Sequence, residues 1–216
     1  YHWSHAEEVA SDHLLAWKAP YLNATFFIIR GLLFFVIWIA LAWVLHRRSV
    51  RQDADADAAH TFAMRKISAG GIFLFAFTVT FAGFDWLMSL NPHWYSTIFG
   101  VYVFVGGFLT SMPVLMLIFQ ALRGQGMLAD VVGIEHHHDF GRMLFAFTVF
   151  WAYIAGSQYY LIWYANIPEE TVWFLTRWEN GWKPVSLALI FLHFLVPFLA
   201  LLFFRVKRNA LLLRII

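Results

Sequence analysis

Apolar residues fall into five long stretches separated by short polar segments. A membrane helix needs about 20 mainly apolar residues, each adding about 1.5 Å, to cross some 30 Å of hydrocarbon. Windows over about 26–45, 67–90, 95–122, 143–164 and 185–204 meet that demand, the first reading FFIIRGLLFFVIWIALAWVL. Between them lie HRRSVRQDADADAAH, NPHW, LRGQGMLADVVGIEHHHD and NIPEETVWFLTRWENGWKP. The pattern predicts an all-α integral membrane protein, a single multi-pass domain over 1–216 with about five transmembrane helices.

The fourth connection has a pattern of its own. Pro168 suits a first helical turn, Glu169 and Glu170 its positive end and Gly181 its stop, while apolar and polar residues alternate between them. A short amphipathic helix over about 168–180, lying on the outer membrane surface, is expected. The DADADA run at 53–58 is expected to be a solvated inner loop. Orientation follows from Lys and Arg. Eleven positive residues (Arg47, Arg48, Arg51, Arg65, Lys66, Arg123, Arg142, Arg205, Lys207, Arg208 and Arg214) fall on one side, and Lys18, Arg177 and Lys183 on the other. The start of the chain is therefore expected outside and its end inside. Arg30, within the first window near its outer end, is expected to snorkel to the interface.

Composition changes the picture in three ways. With 61% hydrophobic and 13% charged residues, against roughly 25% charged in soluble domains, the chain is unsuited to water. Its formal charge of +2 forms no broad basic patch, so no nucleic-acid partner is expected. It has no cysteine, which excludes disulfides, thiolate-held iron–sulfur clusters and Cys-zinc sites of its own. The opening at Tyr1, without an initiator Met, reads as a piece of a longer protein.

Few polar residues could carry chemistry. His193 is read as the only ionisable side chain near the middle of a span, and Pro197 frees its carbonyl from the helix ladder. It is either a proton-relay or quinol-headgroup residue, or a packing histidine beside a proline kink. In the third window, Gly106 and Gly107 allow close helix approach and Pro113 frees the carbonyl of Leu109. Asp85 lies 19 residues beyond Lys66, roughly 28 Å along a helix, and so at the outer rim with His93, Trp94, Glu169 and Glu170. That cluster would release protons or frame a quinol headgroup (Asp85, His93, Trp94); alternatively the carboxylates cap helix ends beside water. On the inner side stand His136, His137, His138, Asp139 and Arg142. Consecutive histidines on a helix diverge by about 100°, so no metal site is expected from them. Asp139 and Arg142 can pair on one helical face and serve either proton entry or a solvated helix start. Haem would need two histidines at matched depth on facing helices, and the histidines other than His193 lie in loops or at helix ends.

Three strings are more specific: LNATFFIIRGLLFF at 22–35, FDWLMSLNPHWYSTIFGVYVFVGGF at 84–108 and HHHDFGRMLFAFTVFWAYIAGSQYYLIWYANIPEETVWF at 136–174. Together they resemble the second NrfD-like, polysulfide-reductase-type membrane subunit of bacterial alternative complex III, over most of the chain. The resemblance implies part of a longer fold of two four-helix bundles plus flanking helices. It implies a respiratory or photosynthetic quinol:electron-acceptor oxidoreductase in the bacterial cytoplasmic membrane. The partners would be the sister NrfD-like subunit, the iron–sulfur subunit and cytochrome c subunits, together with lipids. Haem c and iron–sulfur clusters would belong to those partners, with no redox cofactor bound by this chain. The matching positions are Asp85, His93, His138, Asp139, Arg142, Glu169 and Glu170. Assembly and proton conduction from Asp139 and the histidines through His193 to Asp85 and the glutamates is the first expected role. A quinol site at the outer rim is the second, and a secondary transporter with paired broken helices the third.

Overall fold

A computed structural model describes residues 1–128, 130–179 and 181–216. The chain is all-helical, with no strand among the described residues. Among the described residues, five helical segments are long and apolar enough to cross a membrane: Ala24–Asp55, Ala58–Leu90, Phe99–Gly124, Ile134–Ala165 and Lys183–Leu202. Their apolar side chains are largely uncovered; in the last span only 6% of the most apolar window is buried. Water would not tolerate a continuous surface of that kind, and hydrocarbon does.

The chain forms two compact units, residues 1–100 and 101–216. In the first, a short 3-10 turn (His2–Ser4) precedes α1 (Ala6–Ser11) and α2 (His13–Lys18). Asp12 starts α2 by accepting the amides of Leu14 and Leu15 at 2.8 and 3.2 Å, and Asn23 starts α3 (Ala24–Asp55) by accepting that of Phe26 at 2.9 Å. These oxygens satisfy amides that a helix start leaves without a partner. α4 (Ala58–Trp86) returns antiparallel to α3, followed by a 3-10 turn at Met88–Leu90. Between α3 and α4, Trp38 packs edge-on to Trp86 with centroids 5.7 Å apart and donates to the Thr78 hydroxyl at 2.8 Å.

The second window's neighbouring loop is not a loop. α3 runs on to Asp55, and α4 begins at Ala58, so the connection is Ala56 and Asp57 alone. Ala56 takes a left-handed φ of 56°, and Asp57 caps α4 through the Ala59 amide at 2.9 Å. Gln52 donates to Thr61 at 2.7 Å and His60 meets Asp55 at 3.0 Å, so polar side chains close the hairpin. Arg47, Arg48, Arg51, Gln52 and Ala54 favour helix and carry α3 to Asp55, although aspartate itself is a weak helix former.

The second unit holds the rest of α5 (Phe99–Gly124), then α6 (Ile134–Ala165), α7 (Pro168–Trp178), α8 (Lys183–Ile190), a π turn at Phe191–Leu195, α9 (Val196–Leu202), α10 (Phe204–Lys207) and α11 (Ala210–Ile215). α6 starts about nine residues before its apolar window, which puts the three histidines inside the helix rather than in a connection. Val105, Leu109 and Met116 of α5 form one core with Leu144 and Trp151 of α6, Leu201 of α9 and Leu213 of α11. Gln120, 4% exposed, donates to the Ala210 carbonyl at 3.2 Å and accepts from Arg214.

The tight approaches lie elsewhere than Gly106 and Gly107. A Cβ on Gly107 would meet nothing within 4 Å, and one on Gly106 only the edge of Trp151 at 3.9 Å. Gly141 of α6 instead lies against Lys207, whose Cβ and Cα would be 2.8 and 3.0 Å from an added methyl. In the first unit Gly100 lies against Thr80 in the same way. Proline at 197 is accommodated by the π turn, in which the Val196 amide reaches back to the Phe191 carbonyl. The wider turn makes room for a ring that would clash with the carbonyl four residues back.

Candidate functional site

The most strongly built polar site lies in the first unit, where α3 and α4 meet the N-terminal segment. Arg30, in the second turn of α3, donates from Nε to Asp85 Oδ2 at 2.7 Å and from Nη2 to Oδ1 at 2.9 Å. Its remaining nitrogen, Nη1, donates to the Tyr21 carbonyl at 2.9 Å. The guanidinium lies 3.8 Å from the Tyr21 ring centroid and 4.2 Å from that of Phe26. Arg30 is 7% exposed and Asp85 0%. A two-bond fork of this kind is the strongest geometry an arginine and a carboxylate can adopt, and two aromatic faces complete the cage.

Two expectations are corrected here. Arg30 does not snorkel to water, and Asp85 is not a solvated cap. Each charge neutralises the other, which avoids the cost of leaving either alone in an apolar medium. Arg30 and Asp85 also join His193 as ionisable side chains within the spans.

The N-terminal segment seals the pair. Ser89 donates its hydroxyl to the Asp85 carbonyl, and Trp3 donates from its indole to the Ser89 carbonyl at 3.1 Å. Trp3, Leu15 and Leu22 form a small core of their own. The Tyr21 hydroxyl is buried without a hydrogen-bond partner among the described residues. Burial, and then the negative charge of Asp85, push its phenol up to about 12.

His93 meets Asp12 at 2.5 Å and Lys18 donates to the Pro92 carbonyl at 2.5 Å. The hydrogen bond from His93, with those from the Leu15 and Leu14 amides, holds the Asp12 carboxyl below its ordinary range. His93 thus belongs to the N-terminal segment rather than to Asp85. Trp94 is 2% exposed and packs edge-on against Phe99 at 5.6 Å. The three residues expected to frame a quinol headgroup are therefore engaged separately: Asp85 is sealed in an ion pair, His93 is bonded to Asp12 and Trp94 is buried.

In the second unit the other candidates are dispersed. His193 sits in the π turn with its ring edge-on to Trp151, centroids 4.6 Å apart. His136 accepts the Gly133 amide at 3.2 Å, the buried His137 donates from Nδ1 to the Gly133 carbonyl at 2.9 Å, and His138 packs against Phe204 at 4.9 Å. Two of the rings are thus engaged by Gly133 and the third by Phe204. Asp139 and Arg142 face each other at 3.7 Å, both exposed. Glu169 and Glu170 occupy the first turn of α7 behind Pro168, while Arg177 in its last turn donates to the Trp173 carbonyl at 2.8 Å and lies over that residue's ring. Among the described residues no three His, Asp or Glu side chains converge as metal ligands would.

The Arg30–Asp85 pairing was missed by reading the windows one at a time. Its signal was available: two opposite charges lie at the same end of consecutive antiparallel apolar stretches, where neither is tolerable alone. No family model matches the chain, and no curated protein matches it significantly.

Proposed function

We propose that this chain is the second NrfD-like membrane subunit of a bacterial alternative complex III. In this reading it belongs to a two-bundle fold in the cytoplasmic membrane, its start outside and its end inside. It supports assembly of a quinol:electron-acceptor oxidoreductase whose haem c and iron–sulfur clusters sit in partner subunits. The three long strings quoted above and the one-sided distribution of positive residues support the assignment.

The observation that carries the assembly role is the sealed Arg30–Asp85 pair. A subunit that holds neighbours in place gains from a hairpin locked at one end by a fork of hydrogen bonds and covered by its own N-terminal segment. A direct quinol site needs a cavity in which a carboxylate or imidazole can reach a quinol hydroxyl. Asp85 has both oxygens engaged by Arg30 and no exposed surface, which weighs against the rim reading. Proton conduction through Asp85 would require it to part from Arg30 at each transfer. It is tested by Asp85→Asn, His193→Leu and Glu169→Gln in proteoliposomes, where unchanged proton-to-electron ratios for all three would remove that role.

The assignment itself is tested by purifying the tagged full-length protein from its native membrane in mild detergent. Partner chains carrying haem c absorbance and iron–sulfur resonance signals are expected to accompany it. A preparation with neither would overturn the reading.

A further inference from the structure

We propose that the cleft where α5 ends, α6 begins and the last span gives way to α10 binds the headgroup of an anionic phospholipid. The cleft has a volume of about 440 Å³, and its walls include Arg123, His137, Phe204, Arg205, Arg208 and Asn209. All belong to the second unit.

Position is the first argument. α5 ends at Gly124, α6 starts at Ile134 and the last apolar span closes at Leu202, so three spans terminate around this cleft. Arg123 and Arg205 directly follow the apolar windows that end at about 122 and 204, and so stand at the depth of lipid phosphates. Charge is the second. Three arginines line the cleft and no lining residue carries a carboxylate. Glu135, just outside, accepts from Arg208 at 2.7 Å and is exposed. Arg123 and Arg205 have no carboxylate partner among the described residues. Forked guanidinium donors match phosphate oxygens, and a ring of them gathered at a span boundary is a trap for an anionic headgroup.

Two further groups fit the remainder of a headgroup. Asn209 spends its carbonyl oxygen on the Leu211 and Leu212 amides, which leaves its NH₂ as a donor. His137 donates from Nδ1, and the tautomer that protonates only this nitrogen offers Nε2 as an acceptor to a glycerol hydroxyl. The third argument separates a lipid from a soluble anion. Ile134 and Phe204 on the walls, with Leu202 and Phe203 leading toward them, are exposed and apolar, a surface for acyl chains and not for free phosphate.

The test is native mass spectrometry of the delipidated full-length protein in detergent, with phosphatidylglycerol or phosphatidylcholine added back. Phosphatidylglycerol should be retained and phosphatidylcholine lost. The variant R123Q/R205Q/R208Q should bind phosphatidylglycerol more weakly by on the order of a hundredfold, at about fivefold per arginine near the surface. R47Q/R48Q/R51Q, which removes the other arginine cluster, should behave as the parent. Should the triple variant misfold by circular dichroism, R205Q alone must still show the weakening of about fivefold. Equal retention of the two lipids, unchanged binding by R123Q/R205Q/R208Q and by R205Q, or displacement of phosphatidylglycerol by millimolar inorganic phosphate would overturn the proposal.

Discussion

Arg30 and Asp85 are each costly alone and nearly neutral together, and that asymmetry makes a sharp prediction. Asp85→Asn leaves a buried guanidinium unpaired and should lower stability in detergent by about 3–5 kcal/mol, read from thermal unfolding. Arg30→Met with Asp85→Leu removes both charges and should restore most of the loss; a double variant as unstable as the single one would refute the pairing. Tyr21 gives a second, independent readout. Its phenol is raised in the folded protein from 10.0 to about 12. A raised acid stabilises the fold fully below pH 10 and loses that contribution as pH climbs toward 12. Tyrosinate absorbance should therefore include a late-titrating component from Tyr21, and Asp85→Asn should bring it earlier. Both charges were visible in the apolar windows, yet their mutual geometry was not, because snorkelling and pairing solve the same problem and a one-dimensional pattern does not choose between them.

At the scale of helices, spacing of apolar residues located every span but not its ends. The apolar window reports where lipid begins, whereas the helix ends where a cap or a left-handed residue stops it. Asp57 and Ala56 end the first hairpin ten residues beyond the hydrocarbon window, and Asn166, at a φ of 50°, ends α6 immediately before α7. Glycines were similarly half legible. Small residues mark close approach only if another helix is there to approach, and at Gly107 nothing among the described residues lies within 4 Å of an added Cβ. Gly141→Ala should cost about 1–3 kcal/mol by forcing α6 from Lys207. Gly107→Ala should be neutral or stabilising by up to about 1 kcal/mol through helix propensity. Equal effects at the two positions in thermal unfolding would show that Gly141 is not a packing site.

Taken whole, the chain has two units whose helices present apolar surface almost all round, and this surface needs hydrocarbon or neighbouring subunits as its solvent. Because the sequence has no cysteine, topology can be mapped with single introduced thiols. Ala56→Cys in the first hairpin turn should label only in inverted vesicles, and Asn166→Cys only in right-side-out cells; labelling of both from one side would reject five crossings. Composition and periodicity alone settled the helical class, the five apolar spans and the amphipathic character of the segment after Pro168, since each depends on local hydration and a fixed helical repeat. The sealed ion pair, the N-terminal segment that covers it and the arginine-lined cleft were decided only by tertiary structure. Each depends on which side chains from distant parts of the chain meet, and that is set by packing rather than by any property of the separate segments.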